Sequence, residues 1–368
     1  MPESKVYSPP PAAAAEVGNG SAVSAPRRPR SAAIQNAQRP TLEAVAARAR
    51  VSRATVSRVV NGSVTVTDDL RDAVLKAVAE LGYVPNLAAR SLVTHRMDSY
   101  ALVLTEPAGR SFSDDTFFPS LVLGVSQELE AAGKELVLQT VTSPGSLDRI
   151  QQCAASRYVD GVMVASTLGA DPLTRELARR GVPVVVNGRP RGRSAVPHVD
   201  VANADGARLA VRRLVAEGRR RIATIAGAQD VTGGIDRLAG YRAEMRENAL
   251  RPTVAVGDFT RESGAAAMRR LLADEPGLDA VFVASDLMAH GALRALRRSG
   301  RQVPGDVAVI GFDDTAVAWY AEPPLTTVHQ PILEIGRTMA RQVLRLAGGD
   351  AVEPSLVLPA DLVVRESA

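Results

Sequence analysis

Apolar side chains are distributed along this chain in three textures, and each predicts a different kind of structure. Residues 1–39 hold Pro, Ala, Ser and Gly with almost no large apolar groups. Such a stretch buries too little surface to repay ordering, so a disordered arm is expected there. From Thr41 to Gly82 apolar residues recur at helical spacing in three short runs. Thr41 is placed to cap the first, with Glu43 in its opening turn and Leu42, Val45, Ala46 and Ala49 on one face. Ser52 is placed to cap the second, which turns Val56, Val59 and Val60 inward and stops at Asn61-Gly62. Thr67, followed by Asp68 and Asp69, opens the third, whose stripe is Leu70, Val74, Ala77, Val78 and Leu81 and whose end is Gly82. After Pro85, NLAARSLV predicts one more short helix.

From Tyr100 the period changes. ALVLT, ELVLQTV, GVMVAS, PVVVNG, IATIAG, VFVASD and VAVIGF are continuous apolar runs separated by helical stretches. Strands that are apolar on both faces belong in a parallel, doubly wound sheet. The alternation restarts after the polar stretch RPRGRSAVPHVDVAN. Two α/β lobes are therefore expected, the second from about Val201, with strand carboxyl ends facing a shared cleft where a small ligand fits.

A chain of 368 residues has room for these domains, and no apolar run approaches the ~18 residues that span a bilayer. The first residues lack the compact apolar core of a secretory signal, so a cytoplasmic protein without membrane attachment is expected. One cysteine, Cys153, and four histidines without ligand spacing give no internal disulfide, metal site or cofactor. Charge adds a direction: residues 1–40 carry +3, residues 41–96 another +3, and the remainder −2 of the total +4. A positive field confined to the first quarter points to a polyanionic partner there.

The second short helix has the chemistry for that partner. Arg53, Ala54, Ser57 and Arg58 share one face, opposite Val56, Val59 and Val60. In a helix-turn-helix the second helix enters the major groove by its N-terminal residues. Arginine pairs bidentately with guanine, whereas Ser57 and Asn61 suit phosphate. The same spacing also fits a solvated polar face.

The run TLEAVAARARVSRATVSRVVNGSVTVTDDLRDAVLKAVAELGYVPNLAARSL resembles the DNA-binding headpiece and hinge of the lactose-repressor (LacI/GalR) family over its whole length. RLAGY at Arg237–Tyr241, VFVASDLMAHGAL from Val281, VIGFDDT at Val309–Thr315 and PPLTTVHQP from Pro323 resemble that family's effector domain in the family's order. The resemblance implies an all-α helix-turn-helix headpiece over residues 40–84, a hinge helix and linker over 85–97, and a two-lobed α/β periplasmic-binding-protein-like domain over 98–368 with late crossovers between lobes. It places Arg53, Ala54 and Arg58 at base-reading positions and Ser52, Ser57 and Asn61 at backbone-gripping ones, with Thr55 in the same DNA-facing set. In the hinge it implies a minor-groove helix with Leu92 wedged between base pairs, Ala89 allowing close approach and Arg90 near phosphate. One departure concerns the turn before the second helix, which often holds Gly in the family and here holds Arg50.

In the cleft the resemblance assigns ligand contacts to Arg237 and Asp313, with Phe117 and Phe118 as an aromatic pair over the pocket and Ser285 as a further polar contact. Guanidinium and carboxylate together suit vicinal hydroxyls. An inter-lobe ion pair of Arg237 with Asp313, and a core role for the two phenylalanines, fit the same residues; Asp286 is expected to cap the helix that follows it. The resemblance thus implies a dimeric repressor of a near-palindromic operator, controlled by a sugar or nucleoside. The ending DLVVRESA, without a leucine heptad, favours dimers over tetramers. The alternative is a sugar- or nucleoside-binding protein without operator control. A transporter's solute-binding protein predicts a signal peptide and no headpiece. An enzyme predicts a nucleophile–base set, phosphate loop or metal spacing that the sequence does not present.

Overall fold

The computed structural model describes residues 40–60, 65–84, 96–105, 117–141, 145–146, 150, 152, 158–166, 172–192 and 195–368. The chain divides into two compact units, one ending at Pro85 and the other beginning at Asn86.

In the first unit, α1 (Leu42–Ala49), α2 (Arg53–Val60) and α3 (Asp68–Leu81) enclose a small core in which Val45, Val56 and Val74 are fully buried. The Thr41 hydroxyl accepts a hydrogen bond from the Ala44 N–H at 3.3 Å and so caps α1. Arg50 ends α1 in the left-handed region, φ 57° and ψ 40°, where a Cβ costs about 1 kcal/mol relative to glycine. Gly82 closes α3 in the same region without that cost. The α3 stripe runs off the core at its start: Leu70 is 42% exposed, and the buried apolar residue at that end is Val66, before the helix. Thr67 makes no side-chain cap bond, so the α3 start relies on Asp68 and Asp69 in its first turn.

The second unit has two six-stranded sheets among the described residues. Strands β1 (Ser99–Thr105), β2 (Glu135–Val141), β3 (Gly161–Ser166), β4 (Val184–Asn187) and β5 (His198–Val201) begin the first sheet. Strands β6 (Ile222–Ala226), β7 (Thr253–Val256), β8 (Ala280–Val283), β9 (Ala308–Asp313) and β10 (Thr326–His329) begin the second. β11 (Ser355–Leu358) and β12 (Asp361–Val363) complete them, in the orders β11-β5-β4-β3-β1-β2 and β12-β10-β9-β8-β6-β7. The β10–β12 pair is antiparallel and the other pairs are parallel.

The helices are α4 (Phe117–Ala131) and α5 (Pro172–Arg179) in the first lobe and α6 (Asn203–Ala216), α7 (Thr232–Glu247), α8 (Arg261–Asp274), α9 (Asp286–Arg298) and α10 (Ala316–Trp319) in the second. The chain crosses lobes after β5, returns through α11 (Ile332–Gly348), which packs on α4, and crosses again between β11 and β12. Gly124 of α4 and Gly336 of α11 meet backbone of the opposite helix where no Cβ fits, which lets the two pack closely. The five strands the apolar runs did not announce, β5, β7, β10, β11 and β12, have short or polar-interrupted sequences such as HVDV and DLV. Among the described residues no helix is long and apolar enough to cross a membrane, and no His, Cys, Asp and Glu cluster is suited to a metal.

Candidate functional site

Two surfaces gather the residues singled out above. On the headpiece, Arg53, Ala54 and Arg58 are exposed on α2, while Thr55 and Ser57 are half-buried. Ser52 is occupied within the protein: its Oγ accepts from the Thr55 N–H at 3.1 Å and lies 2.9 Å from the Thr55 hydroxyl, so it caps α2 and holds Thr55 at the same time. Arg53 is also engaged, with Nε 3.1 Å from Glu43 Oε1 of α1. Asn61, Ala89, Arg90 and Leu92 lie outside the described residues.

In the second unit a cavity of about 940 Å³ lies at the carboxyl ends of strands from both sheets. Phe117, Phe118, Arg237, Ser285 and Asp313 all line it. They are not equivalent. Phe117 is half-buried and meets Phe118 edge-on, ring centroids 5.3 Å apart, whereas Phe118 is 2% exposed and belongs to the core beneath. Ser285 is the N-cap of α9, its Oγ accepting from the Met288 N–H at 3.3 Å. The cap expected of Asp286 is therefore made by Ser285. Asp286 is fully buried, and its carboxylate accepts from the Thr315 N–H at 2.8 Å, from the Thr315 hydroxyl at 3.2 Å and from the Thr327 hydroxyl. Burial and the neighbouring Asp313 push the Asp286 carboxyl well above the usual carboxylate range.

Arg237 is the centre of the polar wall. Only 7% exposed, it donates from Nε to Asn203 Oδ1 at 2.8 Å, and from Nη1 to the Ala284 carbonyl at 2.7 Å and to Asp313 Oδ1 at 3.1 Å. Its guanidinium stacks on Phe312, 3.6 Å from the ring centroid. The ion pair with Asp313 is thus real, but it lies within the second lobe, Arg237 on α7 and Asp313 at the end of β9, and does not bridge the lobes. Asp313 holds a left-handed φ of 117° and also accepts from Gln330 Nε2 at 2.6 Å. On the other side, Asn203 donates to Asp200 Oδ1 at 2.9 Å. Asp200, Asn203, Arg237, Asp313 and Gln330 therefore form one hydrogen-bonded chain around the cavity, from the end of β5 to the residue after β10. Burial raises the Asp200 pKa despite the N–H groups of Val201 and Arg189 that donate to it.

Asn187, Asp200, Asn203, Thr232, Phe259 and Gln330 also line the cavity and were not named from the sequence. Asn187 ends a strand visible as PVVVNG, so the rule that ligands sit at strand carboxyl ends could have found it. Asp200 lies within β5 and Phe259 beyond the end of β7, strands whose sequences carry no clear apolar signal, and no comparable clue marks them.

Residues 41–86 match the family described as bacterial regulatory proteins, lacI family, and residues 211–368 match a periplasmic binding protein-like domain. The chain is 49% identical over 340 residues to the HTH-type transcriptional regulator CelR of Thermobifida fusca, covering 91% of this chain and all of that one. Its fold is similar to a solved structure of a transcriptional regulator CelR–cellobiose complex, with 47% identity, 90% of this chain and 100% of that one covered, and a TM-score of 0.71. It is also similar to a crystal structure of the Lac repressor dimer bound to operator and the anti-inducer ONPF, with 29% identity, 90% and 99% coverage, and a TM-score of 0.80. With the headpiece matched by the lacI family model and 91% of the chain matched by a 49% identical regulator, the chain belongs to the LacI family and is a DNA-binding transcriptional regulator controlled by a small molecule, not an enzyme.

Proposed function

We propose that this regulator is a cytoplasmic repressor that binds a near-palindromic operator as a homodimer and is controlled by a sugar of the cellobiose type in the cleft. The observation that carries the effector reading is the make-up of the cavity wall. A continuous chain of donors and acceptors, Asp200 to Gln330, lies beside the aromatic rings of Phe117 and Phe259. Sugars present hydroxyls at their edges and an apolar face above and below the ring, and such a wall meets both. The similarity to a regulator whose structure was solved as a cellobiose complex supports the same class.

On the DNA side, exposed Arg53 and Arg58 read bases, with Ala54 between them offering only a methyl contact, and a two-fold protein requires a two-fold site. The test is to select bound sites from random DNA with the full-length protein, then titrate cellobiose, monosaccharides and nucleosides against the selected operator. Cellobiose changing operator affinity at a concentration where nucleosides do not is the expected result. A response to nucleosides alone overturns the sugar reading, and selected sites without two-fold symmetry overturn the dimeric one.

A further inference from the structure

Asp313, a carboxylate of the cavity wall, stands on unusual backbone. Its φ of 117° lies outside the left-handed well, and Asp314 follows it at φ 58°, so two consecutive residues with a Cβ hold positive φ. Such a turn persists only where its surroundings over-determine it, and such turns gather at ligand clamps. After the turn the Thr315 N–H donates to the buried Asp286, and before it Gln330 donates to the Asp313 side chain. Between these two bonds stands Asp314, which does not line the cavity.

The Asp314 carboxylate has a separate partner for each oxygen. Oδ1 accepts from Arg365 Nη2 at 2.6 Å, and Oδ2 lies 3.0 Å from His329 Nδ1. The pair with Arg365 is largely buried, its side chains 14% and 7% exposed. Arg365 is fixed in turn: Nη1 donates to the Leu325 carbonyl at 2.8 Å, the backbone N–H donates to the Thr326 hydroxyl at 2.9 Å, and the guanidinium lies over the Trp319 ring, 4.2 Å from its centroid. It is a directional anchor, because breaking the pair strands charge where little water can replace the partner. The places of the two partners in the chain give the anchor its meaning. His329 ends β10, directly before the chain crosses to α11, and Arg365 follows β12, the first strand after the last crossing. We propose that Asp314 is a positioning residue for effector binding: it pins the turn to these two segments and so holds the Asp313 carboxylate in the direction from which it accepts a ligand hydroxyl. This rests on the reading of the cavity as a sugar site with Asp313 as a ligand contact.

The test measures cellobiose binding by calorimetry, and thermal unfolding, for the full-length wild type, Asp313→Ala, Asp314→Asn, Asp314→Gly, Arg365→Met and the double variant Asp314→Gly/Arg365→Met. If wild type does not bind cellobiose, or Asp313→Ala binds it as wild type does, the reading of the site fails and the proposal with it. Given binding by wild type and its loss in Asp313→Ala, Asp314→Gly is expected to weaken cellobiose binding by about tenfold or more, since glycine adopts the φ of this turn without strain but carries no carboxylate. Asp314→Asn tolerates the same φ and keeps one acceptor oxygen for Arg365, and is expected to lose about threefold. Because Asp314 acts through its anchor, the double variant is expected to lose no more than the larger single loss. Three outcomes overturn the proposal. Asp314→Gly binding cellobiose as tightly as wild type, even with a lowered unfolding midpoint, would make the pair purely structural. Asp314→Asn losing as much as Asp314→Gly would show that the bond to Arg365 does not matter, and losses that add in the double variant would show that the two residues act separately. Should Asp314→Gly not fold, wild-type affinity in Asp314→Asn overturns the proposal by itself.

Discussion

Arg237 is asked to do two things with one planar group. It neutralises Asp313 in a buried wall, and it bridges Asn203 and the Ala284 carbonyl so that polar groups of α6, β9 and the residue after β8 keep fixed directions. Removing it strands a half-enclosed carboxylate and two acceptors, so Arg237→Ala is expected to lower stability by about 3–5 kcal/mol in urea unfolding. Arg237→Lys keeps the charge but has no fork, and is expected to fold with a smaller loss while operator binding stops responding to sugar. A sugar response equal to wild type in Arg237→Lys would exclude the arginine from ligand recognition. Asp286 gives a prediction with a sign. Its folded pKa is raised, so the native state binds its proton more tightly than the unfolded chain; that contribution is complete below the unfolded pKa of about 4 and is lost as pH rises through the folded value. Asp286→Asn is therefore expected to flatten the fall in stability over that range, as read by denaturant midpoints against pH. At this scale the sequence spoke unevenly. Arg237 and Asp313 stood in motifs, RLAGY and VIGFDDT, whereas Asp200 and Asn203 lay in a stretch that reads as polar linker and becomes a strand end and helix start only in the folded sheet.

Helical elements were legible where a cap and an apolar stripe coincide. Thr41 and Gly82 bracket the headpiece as expected, and Val45, Val56 and Val74 form its core. The misreading of Leu70 has a simple cause: spacing reports which face a residue occupies, not whether a neighbour extends far enough along the helix to cover it. Strands were legible when fully buried, as β1, β6 and the four-residue β8 are throughout, and illegible when short, at a sheet edge and without a buried residue, as β11 and β12 are. The turn between α1 and α2 carries its own prediction. Arg50 adopts a left-handed backbone with φ 57°. Arg50→Gly is expected to stabilise the headpiece by about 1 kcal/mol, partly offset by glycine's greater freedom in the unfolded chain. The same change removes a cation beside α2, so a stabilised headpiece with weaker operator binding would show that the family's glycine was given up here for a phosphate contact. Unchanged binding would leave Arg50 without a role in DNA recognition.

At the scale of the whole molecule, the two lobes are less independent than two sheets suggest. The chain passes between them three times, and one continuous core holds Leu102 of β1 and Met163 of β3 together with Phe282 of β8 and Ile310 of β9. α11 and β11 of the first lobe are bracketed in the chain by β10 and β12 of the second, so the lobes are tied at both ends of that segment. The headpiece, by contrast, has a core of its own built from valine and alanine with Tyr83. Calorimetry of the full-length protein is therefore expected to show the residues from Asn86 onward unfolding in a single transition, distinct from that of the headpiece. A ligand that binds only the folded cleft at about 100 times its Kd adds about 2.7 kcal/mol to the unit that holds it. Cellobiose should then move the larger transition upward and leave the headpiece transition in place when no DNA is present. Two separable transitions within the larger unit would show that the crossings do not couple the lobes. Because the cavity wall runs from Asp200 at the first sheet to Asp313 and Gln330 at the second, such uncoupling would also remove the physical basis on which a bound sugar is felt by both lobes at once.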